Sequence, residues 1–131
     1  VSPELIEQIP GAVDLVSWFG WFPRLHDGAV IDFMLRFDRS GFIKVAGFRM
    51  NPETDEKGFF ILDKHCTVTF AFEGVAEVEL SFEDEIASIV DQVEITKSEV
   101  GFEIVVDAIN GFDCALKVKS LSISFEPEGK R

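Results

Sequence analysis

A mainly β (α+β) fold, an antiparallel sandwich or open barrel of about seven or eight strands with one or two short N-terminal helices, is what this sequence predicts. Three observations predict it. From Ala29 onward apolar residues recur at every second position, the segments are separated by short Gly- and Asp-bearing turns, and helical spacing is confined to the residues before Gly20.

At the front, Ser2 can cap a helical turn whose first position is Pro3. A second helix is expected from about Gly11 to Phe19, with Leu15, Trp18, Phe19 and Phe22 near one face and Gly20 as the left-handed residue that ends it. Pro23 then forces Phe22 out of helical geometry, so Trp21 to Asp27 reads as an irregular connector. In the first strand Ile31, Phe33, Leu35 and Phe37 alternate with Asp32, Met34, Arg36 and Asp38, which predicts a half-buried strand. After a turn at Arg39-Ser40-Gly41, Phe42 to Arg49 is its hairpin partner, and Asn51 to Gly58 is a polar loop. Phe59 to Leu62 reads as a further short segment.

Two registers can be argued. Cys66, Val68, Phe70 and Phe72 share one face, and Ala76, Val78, Leu80 and Phe82 another. A three-residue connection at Glu73-Gly74-Val75 pairs Phe72 with Ala76 and Phe70 with Val78 and keeps one face dry. Ile89 to Thr96 supplies another strand. Phe102, Ile104, Val106 and Ala108 then match Cys114, Leu116 and Val118 if roughly five residues, Ile109 to Asp113, form the loop. The apolar phase slips to Leu121, Ile123 and Phe125, which predicts a bulge near Lys119-Ser120. Pro127 to Arg131 reads as a tail. The chain shows no repeat or linker and is expected to be a single domain over residues 1–131.

Charge and composition narrow the function classes. The 131 residues carry 24 acidic against 12 basic side chains, a formal net charge of -12. Such a surface repels nucleic-acid phosphates and anionic lipid heads, so neither nucleic acid nor membrane is an expected target; its plainest role is solubility, and it would also steer a basic partner. No apolar run approaches the roughly 20 residues that span a bilayer. The polar start Val1-Ser2-Pro3-Glu4 lacks a leader pattern, and a cytoplasmic location is expected. Cys66 and Cys114 both fall on apolar strand phases and are expected as buried free thiols. Oligomeric state is left open.

The chemistry-bearing segment is Trp18-Phe19-Gly20-Trp21-Phe22-Pro23-Arg24-Leu25-His26-Asp27-Gly28, which holds both tryptophans and one of two histidines. Trp18, Phe19, Gly20, Trp21, Pro23, His26, Asp27 and Gly28 form its motif. His26 and Asp27 have the residue types of an acid–base pair. Yet neighbours on an extended chain point apart, and an Asp-Gly turn uses its carboxylate on backbone amides, so a structural clasp is the expected role. No catalytic residue is assigned, no metal site and no cofactor: His65 and Cys66 face opposite sides of a strand, and no nucleophile elbow or phosphate-cradling loop is present. The acidic turns Glu53, Asp55, Glu56 and Glu83, Asp84, Glu85 lack calcium-loop spacing and read most simply as solvated turns; they are also the candidate contacts for a basic partner.

The run from Phe19 to Val30 resembles the start of the immunity protein 50 family of bacterial polymorphic-toxin systems. Phe19, Gly20, Trp21, Pro23, His26, Asp27 and Val30 match in type and order, whereas Phe22, Arg24, Leu25 and Ala29 depart from the pattern. Val68 to Val75 is similar to the family's strand-and-Gly segment, and Phe102 to Phe125 fits its closing strands more loosely. The resemblance implies a non-enzymatic protein that binds and neutralises a cognate protein toxin, and it brings no catalytic residues. The acid excess suits a basic toxin, such as a nuclease whose phosphate-binding cleft carboxylates can occupy. The alternative is a small binding or regulatory module with a ligand pocket between the aromatic connector and the sheet.

Overall fold

The computed structural model describes residues 1–83 and 88–128. Two short helices, α1 (Pro3–Gln8) and α2 (Ala12–Phe19), precede six antiparallel strands: β1 (Ala29–Leu35), β2 (Gly41–Thr54), β3 (Phe60–Phe82), β4 (Ile89–Lys97), β5 (Phe102–Asn110) and β6 (Phe112–Pro127). They close into a barrel in the order β1-β2-β3-β6-β5-β4. The mainly β architecture with two leading helices is the expected one, and among the described residues no helix is long and apolar enough to cross a membrane.

Both helices begin and end where the sequence places their punctuation. Ser2 accepts a hydrogen bond from the Leu5 amide, with Pro3 at the first helical position. Gly11 precedes α2 and Gly20 ends it, each left-handed, and the Gly20 N–H donates to the Val16 carbonyl. Leu5, Ile9, Ala12, Leu15 and Phe19 join the barrel core, in which Ile43, Val45, Val68, Phe70, Ile104, Leu116 and Val118 are fully buried.

The strand count is six rather than seven or eight because three expected segments are one strand. β3 runs from Phe60 through Phe82 without reversing at Glu73-Gly74-Val75, so Phe72 faces Gly41 and Leu121, not Ala76, and Phe70 faces Ile43 and Ile123, not Val78. Gly74 (φ 68°) marks an irregularity within the strand, not a hairpin. The burial phase of β3 slips there, from Phe72 to Val75, and that of β6 slips opposite it, from Val118 to Leu121. The expected phase slip at Lys119-Ser120 is therefore present, and the register shift itself lies in β3 between Val75 and Glu77.

Other registers shift less. β5 and β6 keep the expected parity, with Phe102 opposite Val118, Ile104 opposite Leu116 and Val106 opposite Cys114. The two strands then part at Gly111: Asn110 pairs with Ile89 of β4, and Phe112 with Phe82 of β3. The expected loop Asn51 to Gly58 is shorter, because β2 continues to Thr54 and pairs with Phe60. In β1 the expected inner set does not hold. A register shift between Val30 and Asp32 leaves Ile31 exposed, and of the four expected residues Phe33 alone packs on the core, with Leu35 and Phe37 exposed.

Candidate functional site

The barrel's seam is where the aromatic connector sits. β1 and β4 share one bridge, Ala29 to Ile89. The rest of the closure is made by the segment before β1. The Arg24 carbonyl accepts from the Val93 N–H at 3.0 Å, the Asp27 N–H donates to the Val90 carbonyl at 2.9 Å, and the Gly28 carbonyl accepts from the Val90 N–H at 2.8 Å. The Val30 N–H donates to the Ser88 carbonyl. The connector is thus a strap that supplies main-chain partners a sheet edge otherwise lacks.

Holding the strap takes unusual backbone. Leu25 (φ 59°) and Asp27 (φ 63°) both lie in the left-handed region, at a typical cost of ~1–3 kcal/mol each. Burial of Leu25 and the cross-seam bonds offset that cost. Leu25 fits because Gly47 faces it: a Cβ there would stand 2.6 Å from Leu25 Cδ2.

The His26 imidazole lies over the same seam, half exposed. Its Nδ1 is 2.9 Å from the Asp91 carbonyl oxygen and 3.3 Å from Asp91 Oδ1, and its Nε2 is 3.6 Å from Asp27 Oδ1. The motif residues His26 and Asp27 are therefore brought together with Asp91, a residue that sequence reading missed. Nothing in a periodic strand such as β4 announces that Asp91 will face a distant histidine.

Arg49 ties the connector to the hairpin beyond it. Its Nη1 donates to the Phe19 carbonyl at the end of α2 (2.8 Å), while Nε and Nη2 grip the two Asp63 oxygens at 2.8 and 2.7 Å. The guanidinium also lies 5.3 Å from the Trp21 ring centre. These hydrogen bonds hold the Asp63 carboxyl below the usual carboxylate range. Sequence reading assigned no role to either residue, although both lie at mirror positions about the Asp55-to-Phe59 turn. The two tryptophans differ. Trp18 stacks on Phe125 at 5.2 Å with Lys64 over its ring, whereas Trp21 stands half out of the surface, edge-on to Phe19. A cleft of about 290 Å³ opens beside Trp21, between Phe22, Arg24, His26 and Phe48.

Past Arg49 and Asp63 the β2–β3 ribbon leaves the barrel as an arm. β1 pairs with β2 only as far as Ala46, and β6 with β3 only as far as Cys66, so among the described residues the ribbon has no further strand on either side. Met50, Phe59 (67% exposed), Phe60, Ile61 and Leu62 stand in solvent along it. Glu53, Asp55 and Glu56 are exposed at its tip, where Asp55 Oδ1 accepts from the Lys57 and Phe59 amides and sets the turn. Glu83 lies just past the opposite end of β3, so the two acidic turns are not brought together; Asp84 and Glu85 lie outside the described residues.

Among the described residues no three His, Cys, Asp or Glu side chains converge as a metal site would need. His65 is exposed beside Phe48, while Cys66 and Cys114 are buried and unpaired, and burial pushes their thiols up to about 11 and about 12. Comparison with known proteins adds no relative: no family model matches the sequence, and neither curated proteins nor solved structures give a significant match.

Proposed function

We propose that this protein is a non-enzymatic immunity protein that binds a cognate basic bacterial toxin, such as a nuclease, in the cytoplasm and blocks it. The observation that carries the reading is the β2–β3 arm. It presents five large apolar side chains to solvent beyond the barrel and ends in Glu53, Asp55 and Glu56. Large apolar side chains exposed on a ribbon whose tip is charged have the composition of a protein-binding surface, and with a net charge of -12 the matching partner is basic. The likeness of residues 19–30 to immunity protein 50 supports the same reading, and in it the His26–Asp27 strap serves to close the barrel.

A second reading has its own observation. The cleft beside Trp21 offers an apolar wall with Arg24 and His26 at its rim, which suits a small ligand of a binding or regulatory module.

One experiment separates them: the gene beside this one is sequenced to learn whether it encodes a large protein with a toxin-like C-terminus, and that domain, purified, is titrated with the chain, following binding and toxic activity together. The toxin reading expects tight binding and inhibition, with affinity falling about tenfold or more as ionic strength rises from about 0.05 to 0.5 M. Absence of binding removes that reading; salt-independent binding removes its electrostatic part.

A further inference from the structure

The β3 strand outruns its neighbour at the end opposite the arm. β2 pairs with β3 no further than Gly41 opposite Phe72, and the Val75 N–H donates to the Arg39 carbonyl in the β1–β2 turn. Among the described residues, 76–82 pair only with β6. Within the described residues, that is a free strand edge.

Which groups face the edge follows from the ladder. The Glu83 N–H donates to the Gly111 carbonyl, and the register runs Ser81 to Asp113, Glu79 to Ala115 and Glu77 to Lys117. Main-chain groups alternate direction along a strand, so odd-numbered residues bond β6 while Val78, Leu80 and Phe82 direct theirs outward. The far side of β6 agrees: the Ala108 N–H, aimed at β6, is met by Asp113 Oδ1.

Side chains sort the same way. Val78, Leu80 and Phe82 lie on the barrel-facing side, opposite buried Leu116, Cys114 and Phe112, yet all three are exposed, Phe82 by 75%. The outer face carries Glu77 and Glu79. Registered beside them across β6, β5 and β4 come Lys117, Glu103 and Thr96 in one row and Ala115, Val105 and Glu94 in the next. Among the described residues the edge therefore offers unpaired amides, an uncovered apolar row and two exposed carboxylates, Glu79 and Glu77, the second also 3.6 Å from Lys117 Nζ.

We propose that this edge receives an extended, lysine- or arginine-bearing segment of a partner protein as an added β-strand. Main-chain bonds would come from Val78, Leu80 and Phe82, with apolar residues of the incoming strand covering their side chains and its basic residues meeting Glu77 and Glu79. A second copy of this chain is the wrong occupant, because antiparallel self-pairing through Val78, Leu80 and Phe82 sets Glu77 of each copy against Glu83 of the other. The sign of the partner's charge rests on the reading of a basic toxin; the edge itself does not.

The probe is a blocked seven-residue peptide alternating valine and lysine, compared with a valine–glutamate peptide, by calorimetry and by amide hydrogen exchange on the full chain. The lysine peptide should bind and slow exchange at Val78, Leu80 and Phe82, while the glutamate peptide should not bind. Val78→Pro removes one outward N–H without touching the β6 ladder and should weaken binding at least about tenfold. Should that variant melt early, Glu77→Gln/Glu79→Gln keeps the backbone and should still weaken the lysine peptide severalfold. Absence of binding, protection elsewhere, or unchanged affinity in Glu77→Gln/Glu79→Gln overturns the proposal. Edge protection by the peptide without any binding of the toxin domain sustains the edge and removes the toxin reading.

Discussion

Arg49 shows how one side chain joins three parts of the molecule: the end of α2, the face of Trp21 and the base of the arm through Asp63. Because that contact depresses the Asp63 carboxyl in the folded state, it contributes stability above the unfolded value, near about pH 4, and loses it as pH falls through the folded value. Asp63→Asn should therefore melt a few degrees lower at neutral pH and flatten the acid limb of the stability curve below about pH 4, checked by thermal melts across pH. The thiols run the other way. Cys66 and Cys114, raised to about 11 and about 12, favour the fold below their unfolded values and lose that contribution as pH rises above about 8.5. Buried and protonated, both should resist a thiol reagent at pH 8 until the chain is unfolded; rapid labelling of the native protein would contradict the placement.

At the scale of elements, the helical pair is locked to β6 through main-chain contact. The Ile123 N–H donates to the Pro10 carbonyl at 2.8 Å, and a Cβ on Gly11 would run into the Ile123 carbonyl oxygen. Gly11 also needs φ 87°. Gly11→Ala should thus cost about 2 kcal/mol or more, measured by denaturant unfolding, with the helices loosened from the barrel first. The helices were legible from Ser2, Pro3 and Gly20 because capping is a local matter. The continuity of β3 was not, since a glycine in an apolar alternation signals a turn or an irregularity equally, and the choice is made by a distant partner, the matching slip of β6. For the same reason the Val30–Asp32 shift hid that Ile31 and Leu35 face water.

Over the whole molecule, closure and exposure belong to different segments. The aromatic connector, conspicuous in the sequence because it concentrates tryptophans and a His-Asp pair, is spent on the seam between β1 and β4, where the Arg24 and Gly28 carbonyls and the Asp27 amide are bonded to β4. What projects outward are the two overhangs of the hairpin strands, the arm with its acidic tip and the far edge of β3. Neither overhang could be read from periodicity, which reports that an apolar face exists and not whether a neighbour covers it. The central proposal, that the arm is the contact to a basic toxin, is tested most directly by amide hydrogen exchange on the chain alone and saturated with the purified domain of its cognate toxin. Protection should appear across residues 50–62, and Phe59→Ser/Phe60→Ser should weaken the complex about tenfold or more while leaving the barrel's melt nearly unchanged. Protection confined to the cleft around residues 21–28, with the arm exchanging as in the free chain, would contradict it.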